Sequence, residues 1–114
     1  MSTFQERHTF EERCDEAARI LKKYPNRVPV IVETNKHSPL EIDKCKYLVP
    51  KHITVGEMIF IIRKRISITP EQSIFLFINN NIPSSTKTLI ELYDQYKSKC
   101  GYLYITISTE NTFG

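Results

Sequence analysis

The segment TVGEMIFIIRKRI (residues 54–66) constrains this chain more than any other. Thr54 and Glu57 stand three apart at its start, the pattern of a capping box, in which a hydroxyl and a carboxylate satisfy backbone N–H groups that a helix leaves free. Val55, Ile59, Ile62 and Ile66 then share one helical face, while Met58, Ile61 and Arg65 share a neighbouring one. Such a helix is apolar over more than a core-facing stripe. It has to lie across another layer, and it keeps apolar surface for a second contact.

The flanking segments supply that layer. RVPVIVE (27–33) is a β-branched run, and Pro29 within it implies a strand position where a missing N–H does no harm. KYLVP (46–50) reads as a second short strand, joined to the first by a polar link too long for a tight hairpin. After the helix come a strand in SIFLFI (73–78), a turn at NNN, a short helix over 88–96 with Leu89, Leu92, Tyr93 and Tyr96 as its apolar set, and a final strand in YLYITIS (102–108). Upstream, TFEERCDEAARILKKY (9–24) carries a second capping box, Thr9 with Glu12, and spaces Phe10, Cys14, Ala17, Leu21 and Tyr24 as one face before Pro25 ends the helix. The residues before Thr9 add a short helical turn. A hairpin, a helix crossing it and two further strands make an α+β fold of the ubiquitin-like β-grasp type with additional N-terminal helices. The expected division is an N-terminal helical extension over 1–24 and a ubiquitin-like domain over 25–114, with a flexible tail over 109–114.

A length of 114 residues supports one hydrophobic core. The net charge of +3 is slight but unevenly spread, with eleven Lys and Arg against four acidic residues between Arg19 and Arg65, which favours an acidic partner. Cys14, Cys45 and Cys100 are odd in number, widely spaced and without metal-ligand register, and the expectation is three reduced thiols rather than a disulfide or zinc site. No run approaches the ~20 apolar residues of a membrane span, and Glu6, Arg7, Glu11, Glu12 and Arg13 stand where a signal peptide would need its apolar core. A soluble intracellular protein is expected. Only three glycines are present, so no phosphate-cradling loop can form, and His8, His37 and His52 sit in polar, loop-like surroundings. The expectation is no enzyme, no cofactor and no metal.

The motifs KYPNRVPVIVE, DKCKYLVP, TVGEMIFIIRKRI, LFINNNIP, LYDQY and GYLYI, followed by a terminal FG, closely resemble the autophagy ubiquitin-like modifiers. This is the family of the GABA-A-receptor-associated protein and microtubule-associated protein light chain 3. The resemblance runs from about Phe10 to Gly114, in order, with small length changes only. It implies that the Gly114 carboxylate is activated with ATP by an E1-type enzyme, passed through thioesters by E2- and E3-type machinery and joined to the amino group of phosphatidylethanolamine. A glycine-ended tail suits that task, because no Cβ obstructs attack at its carbonyl. Attachment to the autophagosome membrane from the cytoplasm would follow from the lipid's acyl chains. Family members usually carry residues beyond this glycine, removed by a cysteine protease that reads the aromatic position filled here by Phe113 and that also reverses lipidation. Here the sequence stops at Gly114.

The resemblance also implies a binding groove for cargo receptors. A motif with an aromatic residue followed three positions later by Leu, Ile or Val would add as a strand to the edge of the second strand and insert two anchors. The aromatic pocket would be Glu16, Ile20, Pro29, Ile31, Lys46, Leu48 and Tyr102. The aliphatic pocket would be Tyr47, Val49, Pro50, Ile53, Met58 and Ile61, with Arg65 at its rim. Arg27, Lys44 and Lys46 would meet acidic residues preceding the motif. Alternation along 46–49 lets one edge serve both pockets. Tyr102 and Met58 stand where Phe is usual; Tyr adds a hydroxyl, and Met makes its pocket more adaptable. Against this modifier reading stand two rivals: a β-grasp adaptor that is never lipidated, and a protein binding acidic tubulin tails or nucleic acid through its basic centre. The third reading lacks the basic N-terminal arm expected for tubulin.

Overall fold

A computed structural model of the chain describes residues 3–35 and 40–109. Its elements are α1 (Phe4–Arg7), α2 (Phe10–Lys23), β1 (Arg27–Thr34), β2 (Lys46–Pro50), α3 (Val55–Arg63), β3 (Phe75–Phe77), α4 (Leu89–Tyr96) and β4 (Leu103–Ser108). The strands form one mixed sheet in the order β2-β1-β4-β3. β1 runs antiparallel to β2 and parallel to β4, and β3 runs antiparallel to β4. The parallel pair at the centre needs a long crossover, which α3, β3 and α4 provide. This is the ubiquitin-like α+β arrangement, with α1 and α2 placed before it.

Both capping boxes form. Thr9 accepts from the Glu12 N–H at 3.1 Å and the Glu12 carboxylate accepts from the Thr9 N–H at 2.7 Å. Thr54 and Glu57 repeat the exchange at 3.1 and 3.0 Å. The turn before Thr9 is a helix in its own right, with Thr3 as its cap.

Strand alternation sorts the apolar residues between two layers. Val28, Val30 and Val32 of β1, Tyr47 and Val49 of β2, and Leu103, Ile105 and Ile107 of β4 enter the main core with Val55, Met58 and Ile62 of α3 and Leu89, Leu92 and Tyr93 of α4. Ile31 and Tyr102 turn to the opposite face, where Phe4 and Ala17 cover them. The sheet is thus packed on one side by α3 and α4 and on the other by the N-terminal helices.

The structure departs from expectation at four places. β3 is Phe75–Phe77, shorter than SIFLFI, because Ile78 turns back to bridge Asn81. α3 stops at Arg63, and Ile66 instead bridges Ile42. At the two ends of α2, Phe10 and the C-cap residue Tyr24 are 56% and 40% exposed, whereas Ala17 at mid-helix is buried. The cysteines are not three free thiols: Cys14 and Cys100 form a disulfide, with Cα atoms 4.2 Å apart, and Cys45 is free. The partners lie 86 residues apart, so only the docking of α2 beside the turn before β4 brings them together.

Candidate functional site

Three elements converge beside β2. Glu16 and Ile20 lie one turn apart on α2 and share a face. Glu16 Oε1 accepts a hydrogen bond from the Tyr102 hydroxyl at 2.6 Å and another from Lys46 Nζ at 2.9 Å. Pro29 stands opposite Leu48 and Ile31 opposite Lys46 in the β1–β2 register, so the four belong to the same face as Tyr102. Ile31 and Tyr102 are fully buried and form the floor, while Ile20 and Leu48 are half-buried at the surface. All seven residues expected at the aromatic pocket therefore lie on α2 or on this one side of the sheet.

The electrostatics follow from the contacts. The hydrogen bond from Tyr102 holds the Glu16 carboxyl below its ordinary value, with Lys46 adding to the effect against a smaller opposing cost of burial. Burial pushes the Tyr102 phenol above its ordinary value, and the Glu16 carboxylate pushes it further. The Phe4 ring meets the Tyr102 ring edge-on, with centroids 5.4 Å apart, and Lys46 Nζ lies 5.6 Å over Phe4. The Phe4 N–H donates to Glu33 at 2.8 Å, which fixes α1 on the sheet. Phe4 was not among the expected site residues; the short helical turn expected before Thr9 is the sequence reading that comes nearest to it.

The second set is placed differently. Tyr47, Val49 and Met58 are buried in the main core, with Met58 fully so. Ile53 and Ile61 are half-buried against that core, and Pro50 is exposed. Arg65 is exposed and sits 3.8 Å from Asp43. Burial, then the Asp43 charge, pushes the Tyr47 phenol up to about 12, and its hydroxyl meets no hydrogen-bond partner among the described residues. The surplus apolar surface expected at Met58 lies instead on Phe60, which is 63% exposed.

β2 ends the strand order, and no strand covers its outer edge among the described residues. Val32 N–H donates to Cys45 O at 2.8 Å; the alternation of an antiparallel ladder then turns the backbone groups of Lys46 and Leu48 away from β1. Arg27 reaches the Leu48 carbonyl at 3.4 Å, and Lys44 Nζ lies 5.2 Å over the Tyr47 ring. Phe113 and Gly114 lie outside the described residues.

Residues 12–114 match the family model described as "Autophagy protein Atg8 ubiquitin like". The chain is 45% identical to autophagy-related protein 8d of Arabidopsis thaliana, covering 100% of this chain and 96% of the relative. It is 46% identical to autophagy-related protein 8 of Saccharomyces cerevisiae, covering 99% and 97%. Among solved structures, Trypanosoma brucei ATG8 superposes with a TM-score of 0.90 at 36% identity, covering 100% of this chain and 99% of that one. Plasmodium falciparum Atg8, solved in complex with a P. falciparum Atg3 peptide, gives 0.86 at 37% identity, covering 96% and 98%. With a full-length match in sequence and an equal match in fold, this chain belongs to the Atg8 family of autophagy ubiquitin-like modifiers.

Proposed function

We propose that the chain is joined through its Gly114 carboxyl group to phosphatidylethanolamine, and that on the autophagosome membrane it holds cargo receptors by taking an aromatic-x-x-aliphatic motif as an added strand on β2. The observation that carries the binding half is the edge of β2, which no strand covers among the described residues and whose alternate side chains belong to two differently filled faces. A peptide strand laid along it would send one anchor toward Ile20, Leu48 and Tyr102 and the other toward Ile53 and Ile61. Lys44, Lys46 and Arg27 supply positive charge along the same edge. Tyr47, Val49 and Met58 would act as the floor beneath the second anchor, since they are buried.

Weak single contacts suit a membrane crowded with copies, where avidity multiplies them.

Membership of the Atg8 family supports Gly114 as the reacting residue. The chain supplies the carboxyl group, and E1-, E2- and E3-type enzymes supply activation and transfer. A partner of the Atg3 type is supported by the P. falciparum complex. No helix among the described residues is long and apolar enough to cross a membrane, so the attachment proposed here rests on the lipid. The test is incubation with ATP, the E1- and E2-type enzymes and phosphatidylethanolamine vesicles. A lipid-mass adduct on Gly114, lost in Gly114→Ala, is expected; an adduct in neither protein refutes conjugation.

A further inference from the structure

A cavity of about 300 Å³ lies where α1, α2 and the turn before β4 meet, lined by Gln5, Phe10, Arg13, Ser98, Lys99 and Cys100. None of these residues belongs to the groove described above. Its charged lining is wholly cationic, from Arg13 and Lys99, and its sulfur belongs to the Cys14–Cys100 bond. Arg13 lies 5.7 Å over the Phe10 ring and donates to the Tyr104 hydroxyl at 3.4 Å. Its Nε is buried and meets no hydrogen-bond partner among the described residues, so the guanidinium keeps a donor to spare. Cys100 also has a second state within reach: Sγ sits 3.4 Å from the Phe10 carbonyl oxygen, which would accept a hydrogen bond from the free thiol.

We infer that this cavity is an exchange site for an anionic low-molecular-weight thiol of the glutathione class, through which the Cys14–Cys100 bond opens and closes. The carboxylates of such a thiol pair with Arg13 and Lys99, and its thiolate attacks Cys100 Sγ. The protein S–S bond breaks, and Cys14 leaves as a thiolate that takes a proton. A second small thiolate attacks the small-molecule sulfur of the mixed disulfide, and Cys100 leaves and is protonated in turn. Two small thiols have then become one small disulfide, and one protein disulfide has become two thiols. Closing reverses both steps, with the small disulfide as oxidant. In a reducing compartment a disulfide of this kind is transient and redox-sensing rather than permanent.

The bond ties together two segments that also carry groove residues. Glu16 lies two positions after Cys14, and Tyr102 two positions after Cys100, so opening the bond leaves their mutual hydrogen bond as a main link between α2 and the start of β4. That consequence rests on the motif-binding reading; the exchange chemistry does not.

The test equilibrates the full chain across ratios of reduced to oxidised glutathione, blocks free thiols with an alkylating agent and reads intact mass and thermal unfolding. Expected are one label in the oxidised form, on Cys45, and three in the reduced form, with the oxidised form melting higher by on the order of 10 °C, given the long loop that is closed. Cys14→Ser is expected to trap a glutathione adduct on Cys100. Arg13→Gln with Lys99→Gln is expected to slow exchange with glutathione several-fold and to leave exchange with uncharged 2-mercaptoethanol unchanged. Three labels at every ratio overturn the switch, and equal rates for the charge variant and the parent with glutathione overturn the anion site. A motif peptide titrated against both redox forms separates the readings: binding weaker in the reduced form supports the coupling, equal binding overturns the coupling alone, and binding by neither form strikes the groove while leaving the exchange result standing.

Discussion

The Tyr102 hydroxyl donates a 2.6 Å hydrogen bond to Glu16 across 86 residues of sequence. The same carboxylate oxygen accepts from Lys46, so one acceptor joins α2, β2 and the start of β4. The resemblance implies Phe at this position as the usual residue, and Phe would leave Glu16 with Lys46 alone. The hydroxyl therefore ties Glu16 to the start of β4 and makes that contact sensitive to the protonation of both groups.

Stability is expected to fall at both ends of the pH range for reasons of opposite sign. Folding lowers the Glu16 pKa, so its contribution is present above the unfolded value near 4.5 and is lost as pH falls through the lower folded value. Folding raises the Tyr102, Tyr47 and Tyr93 phenols, so their contribution is present below the unfolded value near 10 and is lost as pH rises through the higher folded values. Tyr102→Phe should cost about 1 kcal/mol at neutral pH. It should also make both limbs shallower, with Tyr47 and Tyr93 keeping part of the alkaline one. Urea midpoints measured from pH 3 to pH 11 check this; limbs unchanged in the variant would show that the hydrogen bond carries no linkage.

Leu48→Arg is expected to weaken binding of an aromatic-x-x-Leu peptide by at least ~10-fold, equivalent to about 1.4 kcal/mol, while leaving the fold intact. Leu48 is half-buried on the surface beside the outer edge of β2, so a longer side chain can swing into solvent without opening the core. Calorimetric titration reads the affinity and far-UV circular dichroism reads the fold. Undiminished affinity in a folded variant removes the groove assignment.

What the sequence makes legible is set by the range of the interaction. Thr9 with Glu12 and Thr54 with Glu57 bond within one helical turn, and the positions of Val28, Val30 and Val32 alternate in a run; both are local and both can be read directly. The Cys14–Cys100 bond and the Glu16–Tyr102 hydrogen bond span 86 residues each, and neither cysteine spacing nor helical period encodes them. Periodicity shows which residues share a face, not where the opposing layer ends, which is why Phe10 and Tyr24 prove exposed. The groove residues were placed by resemblance; the residues alone showed only that β2 alternates and that α3 has apolar surface to spare.

That spare surface separates two neighbours on α3. Met58 is fully buried among the main-core residues, whereas Phe60 is 63% exposed, with Lys64 Nζ 4.6 Å over its ring. Met58→Ala should lose about 2–5 kcal/mol, as large-to-small core changes do. Phe60→Ala should stay within ~0.5 kcal/mol, as substitutions away from packed sites do. Guanidinium unfolding of the two variants decides it, and similar losses would mean that Phe60 is covered in the folded protein.

Two glycines should respond to alanine with opposite signs. Gly56, in the first turn of α3, would place a Cβ 3.5 Å from the Ser85 carbonyl oxygen, an ordinary contact, so Gly56→Ala should gain up to ~1 kcal/mol from the helix propensity of alanine. Gly101 has φ +104°, a backbone conformation that L side chains rarely adopt, and its Cβ would meet Leu21 Cδ1 at 3.2 Å and Ala17 Cβ at 3.5 Å. Its carbonyl also accepts from the Tyr93 hydroxyl at 2.7 Å, and the turn is closed by Ser98 N–H donating to Tyr102 O at 2.8 Å. Gly101→Ala should therefore cost at least ~1 kcal/mol, and because Gly101 stands between Cys100 and Tyr102, the same strain should disturb both contacts that α2 makes with this turn. Thermal unfolding gives the two signs, and alkylation of the oxidised variant reads the cysteine contact. A Gly101→Ala protein that melts as the parent does, with Cys14 and Cys100 still protected, would mean that the turn accepts a side chain and does not depend on glycine to hold Tyr102 against Glu16.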